Sequence, residues 1–492
     1  MKIVDSAARD RAVARCRELG VLIPTLAQQR DPSGVDPAVA EALVDLDMQT
    51  PDPLNLFRIT WRNDRGSGGF GNVNALEIPS ELTGVPARII GLIGERFPTG
   101  AHKVGAAFGC LVPRLVTGEF DPTTHRAVWP STGNYCRGGV FDSTLLGCSS
   151  IAILPEEMSR ERFEWLERMG AEIIATPGCE SNVKEIFDAC WEIRRVRPEA
   201  VVFNQFDEFG NYLWHYGVTG PAVQSVYERL AGPSDRLAAW VSATGSAGTL
   251  GAGDYLKQHS PGCRITAAEA LQCPTLLSTG FGGHRIEGIG DKHVPWIHNT
   301  RNTDMVAAID DESTMRLLRL FNEPAGRDVL LARGISERDV HELPLLGMSS
   351  IGNLIAAIKT ARWFDLDEND ILFTSFTDSV GLYHTRLQEL AAERGDYDRV
   401  TAEVDYERRL LGVTTDHMRE LTYPDRKAIH NLKYFTWVEQ QGRTVEELDA
   451  LWSPGFWTDQ QSLIPEWDEA IDRFNADTGA LDVLRSRTGA NQ

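Results

Sequence analysis

One amine, that of Lys103, stands where a protein can make it nucleophilic. It lies in Phe97-Pro98-Thr99-Gly100-Ala101-His102-Lys103-Val104-Gly105-Ala106, just after the apolar run 87–93. That order predicts a buried strand followed by a helix that begins near the lysine. An ammonium there is poorly solvated and meets the positive end of the helix dipole, so its pKa is expected to fall. An amine tuned in this way is what a Schiff base with an aldehyde cofactor requires. Most helix-start lysines are merely solvated, so the reading depends on what other segments supply.

Three segments supply partners. The run Trp129-Pro130-Ser131-Thr132-Gly133-Asn134-Tyr135-Cys136 is a polar loop that feeds a helix. Its free N–H groups, hydroxyls and amide make a nest for a carboxylate. An N-cap from Ser131 or Thr132 would explain one hydroxyl but not the whole run. Gly245, Ser246, Ala247, Gly248 and Thr249 follow the apolar run 238–241, and residues this small let the backbone wrap a phosphate. The turn lacks the GK[ST] ending of a nucleotide loop and the GxGxxG spacing of a dinucleotide fold. Last, Thr374-Ser375-Phe376-Thr377-Asp378-Ser379-Val380-Gly381 brings polar groups to a strand's C-terminal end, where open α/β sheets bind ligands. A hydroxyl from Ser379 would face a pyridine nitrogen without protonating it, whereas Asp378 at the same place would protonate it.

Positioning these groups calls for alternating strands and helices. Strand-like runs fall at 88–92, 150–154, 172–176, 200–203, 238–242, 264–268 and 371–375, with helix-like stretches at 160–169, 183–196, 222–230 and 349–363. The alternation predicts right-handed βαβ units around a mostly parallel sheet. We divide the chain into an N-terminal extension and entry segment (1–74), a catalytic core (75–390) and a C-terminal extension (391–492). The last is rich in charge and tryptophan and reads as helices near 406–411, 425–432, 445–451 and 465–476.

With 492 residues and a net charge of −21, the chain suits a multi-unit enzyme for small molecules and not a nucleic-acid-binding face. No apolar run approaches the roughly 20 residues that cross a bilayer, and the first residues lack an apolar signal core. The eight scattered cysteines, with no CxxC pair, predict reduced thiols in a cytoplasm, with neither a disulfide frame nor a metal site.

Taken in order, these segments resemble the fold-type II pyridoxal-phosphate enzymes, in the branch of cysteine synthases and cystathionine β-synthases. Further matching pieces are Asn204-Gln205-Phe206, His215, Thr219-Gly220-Pro221, Glu269 to Pro274, Arg285-Ile286-Glu287-Gly288-Ile289-Gly290 and Gly347-Met348-Ser349-Ser350. The resemblance covers about 80–385. It implies an α/β fold of two open twisted parallel-sheet domains with the cofactor between them, a smaller substrate-loop subdomain (about 110–220) inserted in the larger, and helical extensions outside. It implies pyridoxal 5'-phosphate bound to Lys103, which would also act as base on the substrate's Cα–H. Asn134 would meet the cofactor's phenolic oxygen; Gly245, Ser246, Ala247, Gly248 and Thr249 would cradle its phosphate; Ser379 would face its ring nitrogen. Ser131, Thr132, Gly133, Asn134, Tyr135 and Gln205 would surround the substrate carboxylate, with Gly288 near its amine.

The implied activity is elimination or replacement at the β carbon of a small L-amino acid through an aminoacrylate, with a thiol or sulfide as optional co-substrate and a homodimer as the assembly. The alternatives are a deaminating ammonia-lyase, dehydratase or desulfhydrase of the same fold, and a catalytically silent binding relative. Two departures bear on the choice. Tyr135 and Cys136 replace the small Thr and Gly of the usual TSGNTG loop, and Gly133-Asn134-Tyr135-Cys136-Arg137-Gly138 is similar to the GNHGRG of diaminopropionate ammonia-lyases.

Overall fold

The structure, a computed structural model, describes residues 1–131, 133–178 and 183–488. Two sheets organise it. The strands in chain order are β1 (Ala75–Ile78), β2 (Arg88–Ile93), β3 (Arg126–Pro130), β4 (Ser149–Pro155), β5 (Glu172–Thr176), β6 (Ala200–Val202), β7 (Arg236–Ala243), β8 (Arg264–Ala270), β9 (Met305–Ile309), β10 (Asp370–Phe376) and β11 (Met418–Glu420). The larger sheet runs β1-β2-β10-β7-β8-β9-β11 and the smaller β5-β4-β3-β6. Pairing is parallel throughout the small sheet and antiparallel only at the two edges of the large one, β1 on β2 and β11 on β9. Strands β2, β10, β7 and β8 are buried along nearly their whole length, which is why they read as continuous apolar runs and not as alternating ones.

Close helix packing brings the sheets' loops together. The helix Lys103–Thr117 leaves β2, and the helix Asn134–Leu145 leaves β3. They touch at Gly138, where an added Cβ would fall 2.6 Å from the Val104 Cα and 3.0 Å from the Lys103 carbonyl oxygen. On another side of the lysine helix, a Cβ on Gly105 would strike the Trp214 ring at 2.1 Å. The backbones can approach this closely only because those positions lack side chains.

The extensions are tied to each other and to the core. Asn475 accepts from the Ile23 N–H (3.0 Å) and donates to the Ile23 carbonyl (2.8 Å), while Asp468 accepts from the N–H groups of Leu26 and Ala27. In the C-terminal extension, Lys433 is wholly buried and donates to the carbonyls of Trp296 (2.8 Å) and His298 (2.7 Å), and Trp437 donates to that of Val294 (2.8 Å). Burial drives the Lys433 pKa well below its ordinary value, so the amine meets these carbonyls at little charge cost. The extension also supplies β11, which the helical reading of 391–492 did not contain. It is a three-residue edge strand with two exposed residues, and such a piece carries no hydrophobic period. Among the described residues no single helix is long and apolar enough to cross a membrane.

Candidate active site

The C-terminal ends of β7 and β10, neighbours in the large sheet, open on one cavity with the start of the lysine helix. Lys103, Gly245, Ser246, Ala247, Thr249 and Gly288 line it, together with His102, His215, Ser349 and Ser375. The resemblance implies that the lysine and the 245–249 turn serve one ligand, and the fold brings them to the same enclosure. Ala247 adopts a left-handed φ of 64°, a backbone state found in anion nests, and the helix Leu250–His259 begins directly after Thr249. The loop is held from outside. Asn211 donates to the Ser246 hydroxyl (2.9 Å), Ser242 and Thr249 share a hydroxyl contact at 2.6 Å, and a Cβ on Gly248 would lie 2.0 Å from the Asn211 amide oxygen.

At the far end, Ser375 and Ser379 part company. In β10, residues 371, 373 and 375 share a face by alternation. The hydroxyl of Ser375 is buried in the cavity wall with no hydrogen-bond partner. Its backbone is fixed by Asn353, which donates to the Ser375 carbonyl (2.8 Å) and accepts from the Ala243 N–H (2.8 Å), joining the ends of β10 and β7. Ser379 lies in the turn beyond, does not line the cavity, and accepts from the Gly381 N–H at 3.3 Å. Sequence reasoning passed over Ser375; the only signal was its parity with Ile371 and Phe373.

The polar loop after β3 forms a second, adjoining group. Gln205 donates to the Ser131 hydroxyl at 3.3 Å, which also accepts from the Gly133 N–H at 3.2 Å, while the other Gln205 amide atom is buried without a partner. Thr132 lies outside the described residues. Tyr135 points elsewhere: its ring packs edge-on to Trp129 with centroids 5.4 Å apart, fully buried and outside the residues lining the lysine cavity. An aromatic ring beginning a helix under β3 gains more from Trp129 than from a polar mouth. Cys136 gives its thiol to the Gly133 carbonyl, and burial pushes its pKa up to about 12, which leaves it unreactive.

Asn134 is the hinge of a buried network that no local motif signals. Its amide nitrogen donates to Asp378 (2.6 Å), and its amide oxygen accepts from Arg162 (3.4 Å). Arg162 also donates to the Tyr383 hydroxyl (2.9 Å) and pairs with Glu287 (3.0 Å), and Tyr383 donates to Asp378 (2.7 Å). Asn134 and Arg162 belong to the small-sheet unit; Glu287, Asp378 and Tyr383 belong to the large one. Burial pushes Asp378 up from its ordinary range, against the pull of Arg162 and its hydrogen bonds. His102, next to the lysine, is buried with both ring nitrogens unpartnered, and burial followed by the Lys103 charge lowers it to about 3, so it is a neutral wall of the cavity.

The enclosure fits a phosphorylated pyridine aldehyde: an amine at one side, a nest of small residues for a dianion, and a partnerless buried hydroxyl in the wall. Comparison with known proteins agrees. A profile of the family described as pyridoxal-phosphate dependent enzyme matches residues 95–331. A probable cysteine synthase of Bacillus subtilis is 27% identical over 281 residues, 57% of this chain and 83% of the relative. The cystathionine beta-synthase of Saccharomyces cerevisiae is 27% identical over 319 residues, 63% of this chain and 59% of the relative. Among solved structures, a hydrogen sulfide-producing enzyme of Fusobacterium nucleatum superposes with a TM-score of 0.56 at 22% identity, covering 71% of this chain and 93% of the other. An O-acetylserine dependent cystathionine beta-synthase of Helicobacter pylori does so at 0.53 and 22%, covering 63% and 94%. Residues 95–331 thus match the pyridoxal-phosphate dependent enzymes, the fold is that of the fold-type II members, and cysteine synthases and cystathionine beta-synthases are distant relatives of the chain.

Proposed function

We propose that this chain acts at the β carbon of a small L-amino acid, removing a β leaving group and, where a thiol or sulfide is supplied, replacing it. The observation that carries the reading is the shared cavity of Lys103, the 245–249 turn and the Ser375 hydroxyl. Bound pyridoxal phosphate supplies an aldehyde for amines and a ring that takes up electron density when a Cα bond breaks. In this reading Gly245, Ser246, Ala247, Gly248 and Thr249 would hold the phosphate, Asn134 would meet the phenolic oxygen, and Ser375, in place of Ser379, would face the ring nitrogen. A neutral hydroxyl there leaves that nitrogen unprotonated. Lys103 would hold the aldehyde and, as a free amine, would serve as the base for the substrate's Cα proton. Ser131, Gly133 and Gln205 would grip the substrate carboxylate and so fix which Cα bond is presented to the base. The unpartnered Gln205 amide atom and the Gly288 backbone are left for the substrate's own polar groups. Burial of the Asn134 network excludes water while the site is closed. A homodimer belongs to this reading and is checked by sedimentation.

The test is direct. Purified holoenzyme is incubated with serine, O-acetylserine, O-phosphoserine, cysteine and diaminopropionate, each with and without sulfide or homocysteine. A new amino-acid product that needs the thiol supports replacement. Pyruvate and ammonia without any thiol reassign the chain to the lyase reading, which the similarity of 133–138 to GNHGRG favours. Lys103→Ala is expected to lose turnover and the borohydride-sensitive visible absorbance together; a Lys103→Ala enzyme that keeps both defeats the proposal.

A further inference from the structure

Arg137 lies in the first turn of the twelve-residue helix Asn134–Leu145 and is only 4% exposed. Its Nε and Nη1 have no hydrogen-bond partner among the described residues, and its guanidinium stacks at 4.7 Å from the Trp165 ring centroid. A buried guanidinium is normally matched by a carboxylate or a set of carbonyls, because an uncompensated charge away from water is costly. The nearby acids are each engaged elsewhere through at least one oxygen, and the second oxygen of Asp378 takes no hydrogen bond. Glu287 is held by Arg162 and by Arg386, and the Asp378 oxygen that takes bonds takes them from Asn134 and Tyr383. Arg162, wholly buried, adds a second positive charge, and repulsion from it helps burial lower Arg137 to about 10. Helical side chains lean toward the N-terminus, which places Arg137 over the start of its helix, where the positive end of the helix dipole adds to the potential. Arg162 already covers the loop before that helix: a Cβ on Gly133 would fall 1.7 Å from its Nη1.

We infer that Arg137, seconded by Arg162, forms an anion subsite beside the carboxylate loop that selects an amino acid whose β substituent bears its own phosphate or carboxylate. The inference rests on the reading that the 131–134 loop holds the substrate's α-carboxylate. Two unpartnered N–H donors on one buried guanidinium give it charge-assisted bonds to offer to either anion.

The experiment is a calorimetric titration of the holoenzyme with O-phospho-L-serine, O-acetyl-L-serine and inorganic phosphate, on wild type, Arg137→Met and Arg137→Lys. The phosphorylated amino acid is expected to bind at least about tenfold more tightly than the acetylated one, as charge-assisted hydrogen bonds imply. Arg137→Met should remove that difference, and Arg137→Lys should keep part of it. Equal affinities in the wild type, or an undiminished preference in Arg137→Met, overturn the inference. If neither amino acid binds, the fault lies with the reading of the carboxylate loop, and the phosphate arm decides: binding that Arg137→Met abolishes supports the subsite, while absent or unchanged binding overturns it. Should Arg137→Met fail to fold, the same decision passes to Arg137→Lys, in which a lone ammonium must weaken the preference several-fold.

Discussion

Two serines four residues apart compete for one role at the ring end of the cavity. A hydroxyl buried without a partner has lost its water and gained nothing, unless a ligand completes it. Ser375 is in that state; Ser379 has its Gly381 N–H. Ser375→Ala is therefore expected to shift the holoenzyme's visible spectrum and lower kcat/KM by roughly 10- to 100-fold, the worth of a hydrogen bond to a charged or charge-developing group. Ser379→Ala should change both by less than about twofold, as a half-buried turn residue would. Steady-state rates and absorbance of the two variants side by side settle the assignment; the reverse pattern restores Ser379.

At the scale of elements, the site depends on how closely two helices meet. Gly138→Ala puts a methyl against the Val104 backbone, where no flexible side chain can yield, so the Asn134 helix must retreat from the lysine helix. We expect a loss of stability of about 1–3 kcal/mol by urea denaturation, typical of overpacking, and a larger fall in turnover than that alone explains. A second element-level prediction concerns Glu269 at the end of β8, which accepts from the N–H groups of Leu276 (2.9 Å) and Leu277 (2.8 Å). Burial raises its pKa from 4.5 to about 8. Between those values the folded state binds the proton and the unfolded state does not, so Glu269 erodes stability as pH rises through that window. In Glu269→Gln that part of the decline should vanish, so melting curves of the two proteins should converge or cross toward alkaline pH.

These elements also mark how far the sequence could be read. The strands that became β2, β4, β7, β8 and β10 were legible because burial on both faces writes an unbroken apolar run. β3 was not, because Trp129 and Pro130 lead directly into a polar loop, and Met305–Ile309 was passed over between stretches rich in turn residues. The lysine and the phosphate turn were legible because each is a contiguous motif. Arg162 was not: its partners Asn134 and Tyr383 stand 28 and 221 residues away, and only the fold brings them within bonding distance.

At the scale of the whole molecule, the two sheets are joined over the cavity by charge. Arg162 reaches from the small-sheet unit to Glu287 and Tyr383 of the large one, and Asn134 reaches to Asp378, all of them buried. Under the proposed function a substrate entering between the sheets would part these contacts, and closing again would return the Asn134 amide to a fixed orientation, since one end is held by Arg162 and the other by Asp378. Tyr383 is the place to test this, because its hydroxyl accepts from Arg162 and donates to Asp378 without being either charge. Tyr383→Phe removes both bonds and leaves a buried guanidinium and a buried carboxyl each one partner short. Stability should drop by about 1–3 kcal/mol. The open arrangement should gain population by the same free energy, so KM for the amino acid should rise several-fold while kcat, if release limits it, falls little or even increases. Arg162→Met strips the charge as well and leaves Glu287 with Arg386 alone; its cost should reach about 3–5 kcal/mol, the range for breaking a buried pair. Urea denaturation and steady-state kinetics on both variants separate the two outcomes: equal, small effects would mean that the sheets are held together by apolar packing and that the charged network is incidental to closure.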